Sequence, residues 1–501
     1  MATTRAGHNP PAELGESKRT NRLSALSHAL RIERARPAWV VDRPRAHYYA
    51  LATVCVGAFM GQLDASIVTL AFPTLQHVFH ASIGAVTWVG LSYLVTLVAG
   101  VTAVGRFADM VGRKLLYTYG FVVFILGSGL CAIAPNLAGL DAFRVLQGGG
   151  AAMLQANSVA IIYLVMPKNS LGRGIGIQGA AQALGLALGP SIGGLLLSVG
   201  GWRLIFFVNV PVGVLGTFAA LVFIPRSRHL QARVPFDWIG LGLFIPAIVM
   251  LLVAVSFANT WGWSSGRVIG LLVATVIASG GFVGRERRAR DPMLDLGLFR
   301  RARFSAGIAS GLCSYLVLFG VLFAVPFFLE RSRGASSATA GLELTSLPLA
   351  LGIVAPFAGK LADRVGARPL TVTGMSLVAA LLATLGLFRP GGAMLLLDLA
   401  GVGAGLGLFT PANNAAIMAE APREQAGVAS GVLNMTRGTG TSLGLALTSL
   451  VFGAVAGHAV AGHDVAGGFE AAALFLAGMA SVAALLAAAR GGGTGERGLP
   501  L

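Results

Sequence analysis

GRFADMVGRK (residues 105–114) and GKLADRVGAR (residues 359–368) are the two stretches on which the reading of the fold turns. Both run Gly, basic, apolar, Ala, Asp, any residue, Val, Gly, with basic residues after the second Gly. Asp109 and Asp363 are 254 residues apart. Two other landmarks give nearly the same offset, about 256 and 255. The first long apolar stretch of each half starts near residues 48 and 304, and Pro167 and Pro422 each precede a Gly-rich segment. Three anchors at one spacing imply an internal repeat of two similar halves, and repeated halves around a central site are a common architecture for moving solutes across membranes.

The composition around these stretches agrees. Of 501 residues, 55% are hydrophobic and 11% charged, with a mean hydropathy of +0.76. A soluble domain carries about 25% charged residues, so the chain is read as an integral membrane protein. The first 46 residues are polar and basic, without the apolar core of a secretory signal. A spanning helix needs about 20 mostly apolar residues. Fourteen stretches qualify: 48–72, 83–105, 115–134, 139–164, 174–198, 202–224, 237–257, 267–284, 304–329, 341–359, 369–388, 393–417, 427–455 and 469–489. The expected organisation is a basic tail at 1–47, disordered or lying on the membrane surface, and a six-helix bundle at 48–224. An inserted helix pair at 237–284, a second six-helix bundle at 304–489 and a short tail at 490–501 complete it. The fold class is all-α integral membrane.

Charge orients the spans. With both termini placed in the cytoplasm, 30 of the 37 Lys and Arg fall inside and five outside, the remaining two being Arg144 and Arg437 within spans. Such a bias is the positive-inside pattern. It accounts for the net charge of +17 through topology and anionic lipid, without nucleic acid. Cys55, Cys131 and Cys313 lie in apolar stretches and read as small buried hydrophobes, with no disulfide or metal spacing. His77, His80, His458 and His463 fall in outer loops without a zinc pattern, so no metal is expected.

Several residues within the spans carry chemistry. Span 1 holds QLDASIVTLAFP, and Asp64 inside it is expensive at that depth, hence a functional candidate unless it pairs structurally. Span 4 holds DAFRVLQGGGAAM, in which Arg144 must face the interior while Gly148, Gly149 and Gly150 admit a close neighbour. Span 1 runs outward and span 4 inward, so Asp64 and Arg144 lie at similar depth below the outer surface and are expected to pair. An Asp whose pairing changes between two states changes its proton affinity between them.

In the loop between spans 2 and 3, Gly105 and Gly112 permit close approach and unusual dihedrals. Asp109, beside Arg113, either latches two helix packings or is a turn residue, and Asp363 repeats it. Span 5 holds GAAQALGLALGPSIGG. Ala181, Gly185, Gly189 and Gly193 recur every four residues as one small-residue stripe, and Pro190 can bend the helix. A plain packing groove is the other reading of that stripe. The GxGxxG at Gly174, Gly176 and Gly179 is rejected as a dinucleotide site, because no strand precedes it. Span 13 carries NMTRGTGTSLG, placing Arg437 near mid-membrane with Asn434 one turn earlier. Gln182 is the repeat partner of Arg437. Glu343 and Asp398 read as solvated helix ends.

Taken together, these segments resemble the major facilitator superfamily, and in detail its fourteen-helix drug:proton antiporter branch. LDASIVTLAFP resembles that branch's first-helix motif, GRFADMVGRK the superfamily's helix 2–3 loop and DAFRVLQGGGAA the helix 4 Arg motif. ALGLALGPSIGG resembles the antiporter motif of helix 5. WRLIFFVNVPVG and NMTRGTGTSLG resemble helices 6 and 13 of the branch. The match covers about 48–489. It implies two bundles, alternating access and export driven by proton entry, with the proton gradient in place of any cofactor. It also implies that Asp64 takes part in proton coupling, Arg144 in proton transfer, and Gly189–Pro190 in keeping the exchanger tight. Some relatives carry an acidic residue deep in helix 10, where this chain has the uncharged LPLALGIVAPF. That departure argues against divalent cations.

The expected function is proton-coupled efflux of small hydrophobic or cationic compounds by a monomer in the bacterial cytoplasmic membrane. A dedicated exporter of one metabolite or antibiotic is the alternative. A membrane-embedded lipid enzyme would need a polar cluster at one interface, and a sensor would need a soluble effector domain. The sequence offers neither.

Overall fold

The computed structural model describes residues 33, 36–43, 45–167, 170–227, 237–289, 296–420, 426–456 and 464–490. Among these the chain is all helix, with no strand, and fourteen helices are long and apolar enough to cross a membrane. They are α1 (Ala46–Phe79), α2 (Ile83–Val111), α3 (Arg113–Ala132), α4 (Leu137–Val165), α5 (Leu171–Gly200), α6 (Trp202–Phe223, interrupted at Val208) and α7 (Trp238–Trp261). Then come α8 (Gly266–Glu286), α9 (Ala302–Phe327, continued by a π turn at Phe328–Ser332), α10 (Ser337–Val365), α11 (Ala367–Phe388), α12 (Ala393–Glu420), α13 (Ala426–Ala456) and α14 (Val465–Ala488). Hydrocarbon supplies no partner for backbone N–H and C=O, so each span satisfies them along its own axis. Ser82, Asn136, Ser265, Ser336 and Asp464 each accept the N–H three residues on and so cap five even-numbered helices.

Helices α1–α6 and α9–α14 form the two bundles, which combine a buried core of large apolar side chains with close backbone approach at small residues. A Cβ on Gly150 of α4 would meet the Phe124 backbone of α3, and one on Gly440 or Gly444 of α13 would meet the Leu312 or Leu316 carbonyl of α9. The inserted pair α7–α8 flanks the junction of the bundles: Gly84 of α2 abuts the Ser256 carbonyl, and Asn259 Nδ2 donates to the Leu450 carbonyl at 2.7 Å. At the pair's other end, Asp237 accepts both the Gly240 N–H and the Arg285 guanidinium at 3.0 Å.

Several expectations need correction. The helices extend past the apolar windows, because polar residues at span ends continue the helix beyond the hydrocarbon. The loop between spans 2 and 3 shrinks to a single residue, Gly112. Gly105 is therefore mid-helix, and a Cβ there would meet nothing within 4 Å, so it enables neither close approach nor unusual dihedrals. Of the three consecutive glycines Gly148–Gly150 in α4, Gly149 likewise faces open space. His77 lies inside α1 and His80 ends it, rather than falling in a loop; His458 and His463 lie outside the described residues. The Asp109 and Asp363 side chains, most of the tail at 1–47 and all of 491–501 also lie outside them. One described residue of that tail is packed rather than loose. Glu33 accepts the Leu115 N–H at 3.1 Å and the Ser227 N–H at 2.5 Å, closing the start of α3.

Gly112 has φ +115° and its repeat counterpart Gly366 has φ +83°, conformations that side chains rarely adopt. Replacing Gly112 by Ala is expected to cost about 1–3 kcal/mol in backbone strain, and the new Cβ would also collide with the Glu33 carboxylate. Gly366→Ala meets no such neighbour. The melting temperature of purified protein should fall further for Gly112→Ala; equal shifts would show that the Glu33 contact contributes nothing.

Candidate functional site

Asp64 sits at the centre of α1 and is fully buried. Its carboxylate accepts three donors. Arg144 Nη1 of α4 reaches Oδ2 at 2.5 Å, while Gln147 Nε2 of α4 and Asn209 Nδ2 of α6 both reach Oδ1 at 2.8 Å. Arg144 is 1% exposed, and it also donates from Nε to the Val89 carbonyl of α2 and from Nη1 to Gln147 Oε1. Its guanidinium lies 4.3 Å from the Tyr93 ring centroid. Ser128 of α3 accepts the other Gln147 hydrogen. Four helices besides α1 thus converge on one ion pair. A buried pair of this kind is tolerated only when its remaining donors and acceptors are met, and breaking it leaves a charge stranded.

The sequence reading pairs Asp64 with Arg144, and the structure places them in contact. The depth argument behind that reading needs adjusting, since α1 continues to Phe79 and Asp64 lies 15 residues below its end. Gln147 and Asn209 were missed. The available signals were the i, i+3 spacing of Gln147 from Arg144 and a lone amide in the apolar run FFVNVPV.

The helix 5 stripe packs on α1. A Cβ on Gly185 would strike the Phe59 carbonyl, one on Gly189 the Ser66 hydroxyl and one on Gly193 the Ile67 side chain. The adjoining face of α5 meets α10, where Gly341 rests against the Pro190 carbonyl and the Ser191 and Thr345 hydroxyls hydrogen-bond at 2.5 Å. Helix α5 therefore touches both bundles. At that end the bundles also close through the Phe72–Phe323 ring pair and the Arg331 hydrogen bond to the Pro73 carbonyl at 2.9 Å.

Toward the opposite end, which carries the Gly112 and Gly366 turns, the bundles part around a cavity of about 1290 Å3. Gln62, Gln182, Tyr315, Phe319, Asn434 and Arg437 are among its lining residues. Gln182, Asn434 and Arg437, proposed from sequence, thus share one space, and Arg113 and Gly105 reach it too. Arg437 Nη2 donates to Asn434 Oδ1 at 2.5 Å. Asp64 and Arg144 lie outside the cavity wall. Asp398 is 2% exposed and accepts a long hydrogen bond from Thr384 at 3.4 Å, which overturns its reading as a solvated helix end. Glu343 is half-buried with Oε2 enclosed. Among the described residues no cluster of His, Cys, Asp and Glu could hold a metal ion.

Two helical bundles meeting at one end and enclosing a large cavity at the other define a membrane transporter of the alternating-access kind. The Major Facilitator Superfamily model matches residues 54–444 and 307–491, and the chain belongs to that family. The Riboflavin transporter RibZ of Clostridioides difficile (strain 630) is 32% identical over 81% of this chain and 88% of its own length. The Multidrug resistance protein Stp of Mycobacterium tuberculosis (strain CDC 1551 / Oshkosh) is 35% identical over 82% of this chain and 76% of its own. A bacterial homologue of the human lysosomal transporter Spinster, solved inward-facing and unoccupied, shares the fold with a TM-score of 0.67 at 15% identity, over 89% of this chain and 97% of that one.

Proposed function

We propose that the protein is a proton-coupled antiporter that exports small hydrophobic or amphipathic compounds from the bacterial cytoplasm. The observation that carries the reading is the separation of a charged pair buried inside the first bundle from a cavity lined by both bundles. A buried Asp64–Arg144 pair, hydrogen-bonded to Gln147, Asn209 and the Val89 carbonyl, lies behind the wall of an open cavity. Rocking of the bundles about α5 would reopen the cavity on the other side and disturb that pair, linking solute movement to proton movement. The relative named for multidrug resistance supports the efflux direction. The charge bias supports a cytoplasmic cavity mouth and cytoplasmic termini, and the supply of both cavity walls by one chain supports a monomer. A carrier dedicated to one compound is the second reading, favoured by the relative named for riboflavin.

The test uses inside-out vesicles with an acidified lumen and a panel of fluorescent hydrophobic compounds. Uptake into the lumen should appear with the gradient and collapse with a protonophore. Uptake indifferent to the protonophore, or absent across the panel, would overturn the antiporter. In the same vesicles an N-terminal tag should be cleaved by added protease; a protected tag would reverse the orientation.

A further inference from the structure

We propose that the cavity selects compounds carrying a delocalised negative charge on a planar ring system, such as phenolates, enolates or aromatic carboxylates, with Arg437 as their counter-ion. The proposal rests on the cavity being the substrate site and narrows its ligand class.

Among the described residues, no Asp or Glu lines the cavity. Its ionised lining groups are Arg437 and, near the mouth, Arg113; the other polar ones are neutral, notably Gln62, Gln182 and Asn434. A charged side chain at membrane depth normally pairs with an opposite charge. Arg437 has a neutral amide partner in Asn434 and no carboxylate within salt-bridge distance among the described residues. It is half-buried and is one of the cavity's lining residues. A planar donor fork suits a carboxylate or a charge spread over two oxygens. Away from bulk water, one such contact counts for more than in solution.

The rest of the cavity suits the body of such a compound. Tyr315 and Phe319 of α9 offer aromatic surface, and Leu94, Leu318 and Leu406 add apolar wall. Gln182 occupies the repeat position of Arg437, so the two halves present one neutral and one charged polar group. A lipophilic cation would bring its charge to Arg437 with no carboxylate to offset it, which is discrimination by repulsion. The expectation that cations are carried is therefore set aside in favour of anions. An inside-negative membrane potential also assists an anion outward.

Equilibrium binding to purified full-length protein, read by fluorescence anisotropy, tests this with two xanthene dyes of similar ring shape. Fluorescein, ionised at mildly alkaline pH, is the anion, and rhodamine 123 is the cation. The wild type should bind fluorescein tighter, and Arg437→Gln should weaken fluorescein about tenfold or more, the scale of one charge-assisted hydrogen bond, while leaving rhodamine 123 unchanged or tighter. Gln182→Arg, which adds a second cation without touching the first, should tighten fluorescein. Arg437→Lys, which keeps the charge, should lose less than Arg437→Gln. A wild type that binds rhodamine 123 as tightly, or binds neither dye, overturns the proposal. So does an Arg437→Gln variant that weakens both dyes equally. Binding needs no gradient, so dye preference and proton-driven efflux can fail independently.

Discussion

Replacing Gly189 by leucine is expected to abolish export and to leave little well-folded protein in the membrane. The new Cβ would overlap the Ser66 hydroxyl and stand 3.0 Å from the Ile67 backbone nitrogen of α1. A side chain can rotate away, but a helix backbone cannot, so the remaining leucine atoms must push α5 off α1. Overpacking of this kind costs about 1–3 kcal/mol in a soluble core, and the cost is higher where two backbones are the colliding surfaces. The damage would spread, because the next residue, Pro190, presents its carbonyl to Gly341 of α10. A wedge at Gly189 thus disturbs the packing of the first bundle and its contact with the second. Gly176→Leu on the same helix is the control, since nothing lies within 4 Å of its Cβ position. Extractable monodisperse protein and vesicle uptake should fall sharply for Gly189→Leu and stay near wild type for Gly176→Leu. Normal uptake by Gly189→Leu would mean that α5 does not hold this position during transport.

The contrast between those two glycines shows what a sequence can reveal. The four-residue spacing of Gly185, Gly189 and Gly193 marks a face, and the face packs on α1. Gly105, drawn from a turn motif, turned out to be an ordinary helical position, because residue type alone does not say where a helix stops. The fourteen spans were legible since length and apolarity are properties of each segment by itself. Their ends were less so, because helical backbone continues past the hydrophobic window. The Asp64–Arg144 contact was legible because two opposite charges inside apolar spans of neighbouring helices have few other partners, although the depths estimated from the span edges did not hold. Gln147 and Asn209 were not, because a neutral amide does not demand a partner so strongly. Asp398 was misplaced for a related reason. It lies five residues into α12, yet neighbouring α11 packs over that turn and brings Thr384 to it.

Asp64→Asn is expected to eliminate uptake against a gradient and to flatten its pH dependence, while exchange of compound down its own gradient survives. The geometry gives the reason. All three neighbours of the carboxylate are donors, from Arg144, Gln147 and Asn209. An amide at position 64 can offer one oxygen, but its nitrogen would face a donor, so one hydrogen bond becomes a repulsion and Arg144 is left buried without a counter-charge. Removing one partner of a buried pair costs about 3–5 kcal/mol, so some loss of thermal stability accompanies the change. Stability alone does not separate a structural from a coupling role, and the exchange assay does. A protein weakened only in its packing would lose both modes together, whereas one deprived of its proton carrier would keep the mode that needs no proton. Arg144→Lys is the complementary variant. Lysine carries the charge, yet it cannot reach the Val89 carbonyl, Asp64 and Gln147 together from a planar fork. It should also lose gradient-driven uptake. If Asp64→Asn still pumps with unchanged pH dependence, the pair is structural. The next carboxylate to examine would then be Asp141, one turn from Arg144 toward the start of α4, whose Oδ1 is buried without a hydrogen-bond partner among the described residues.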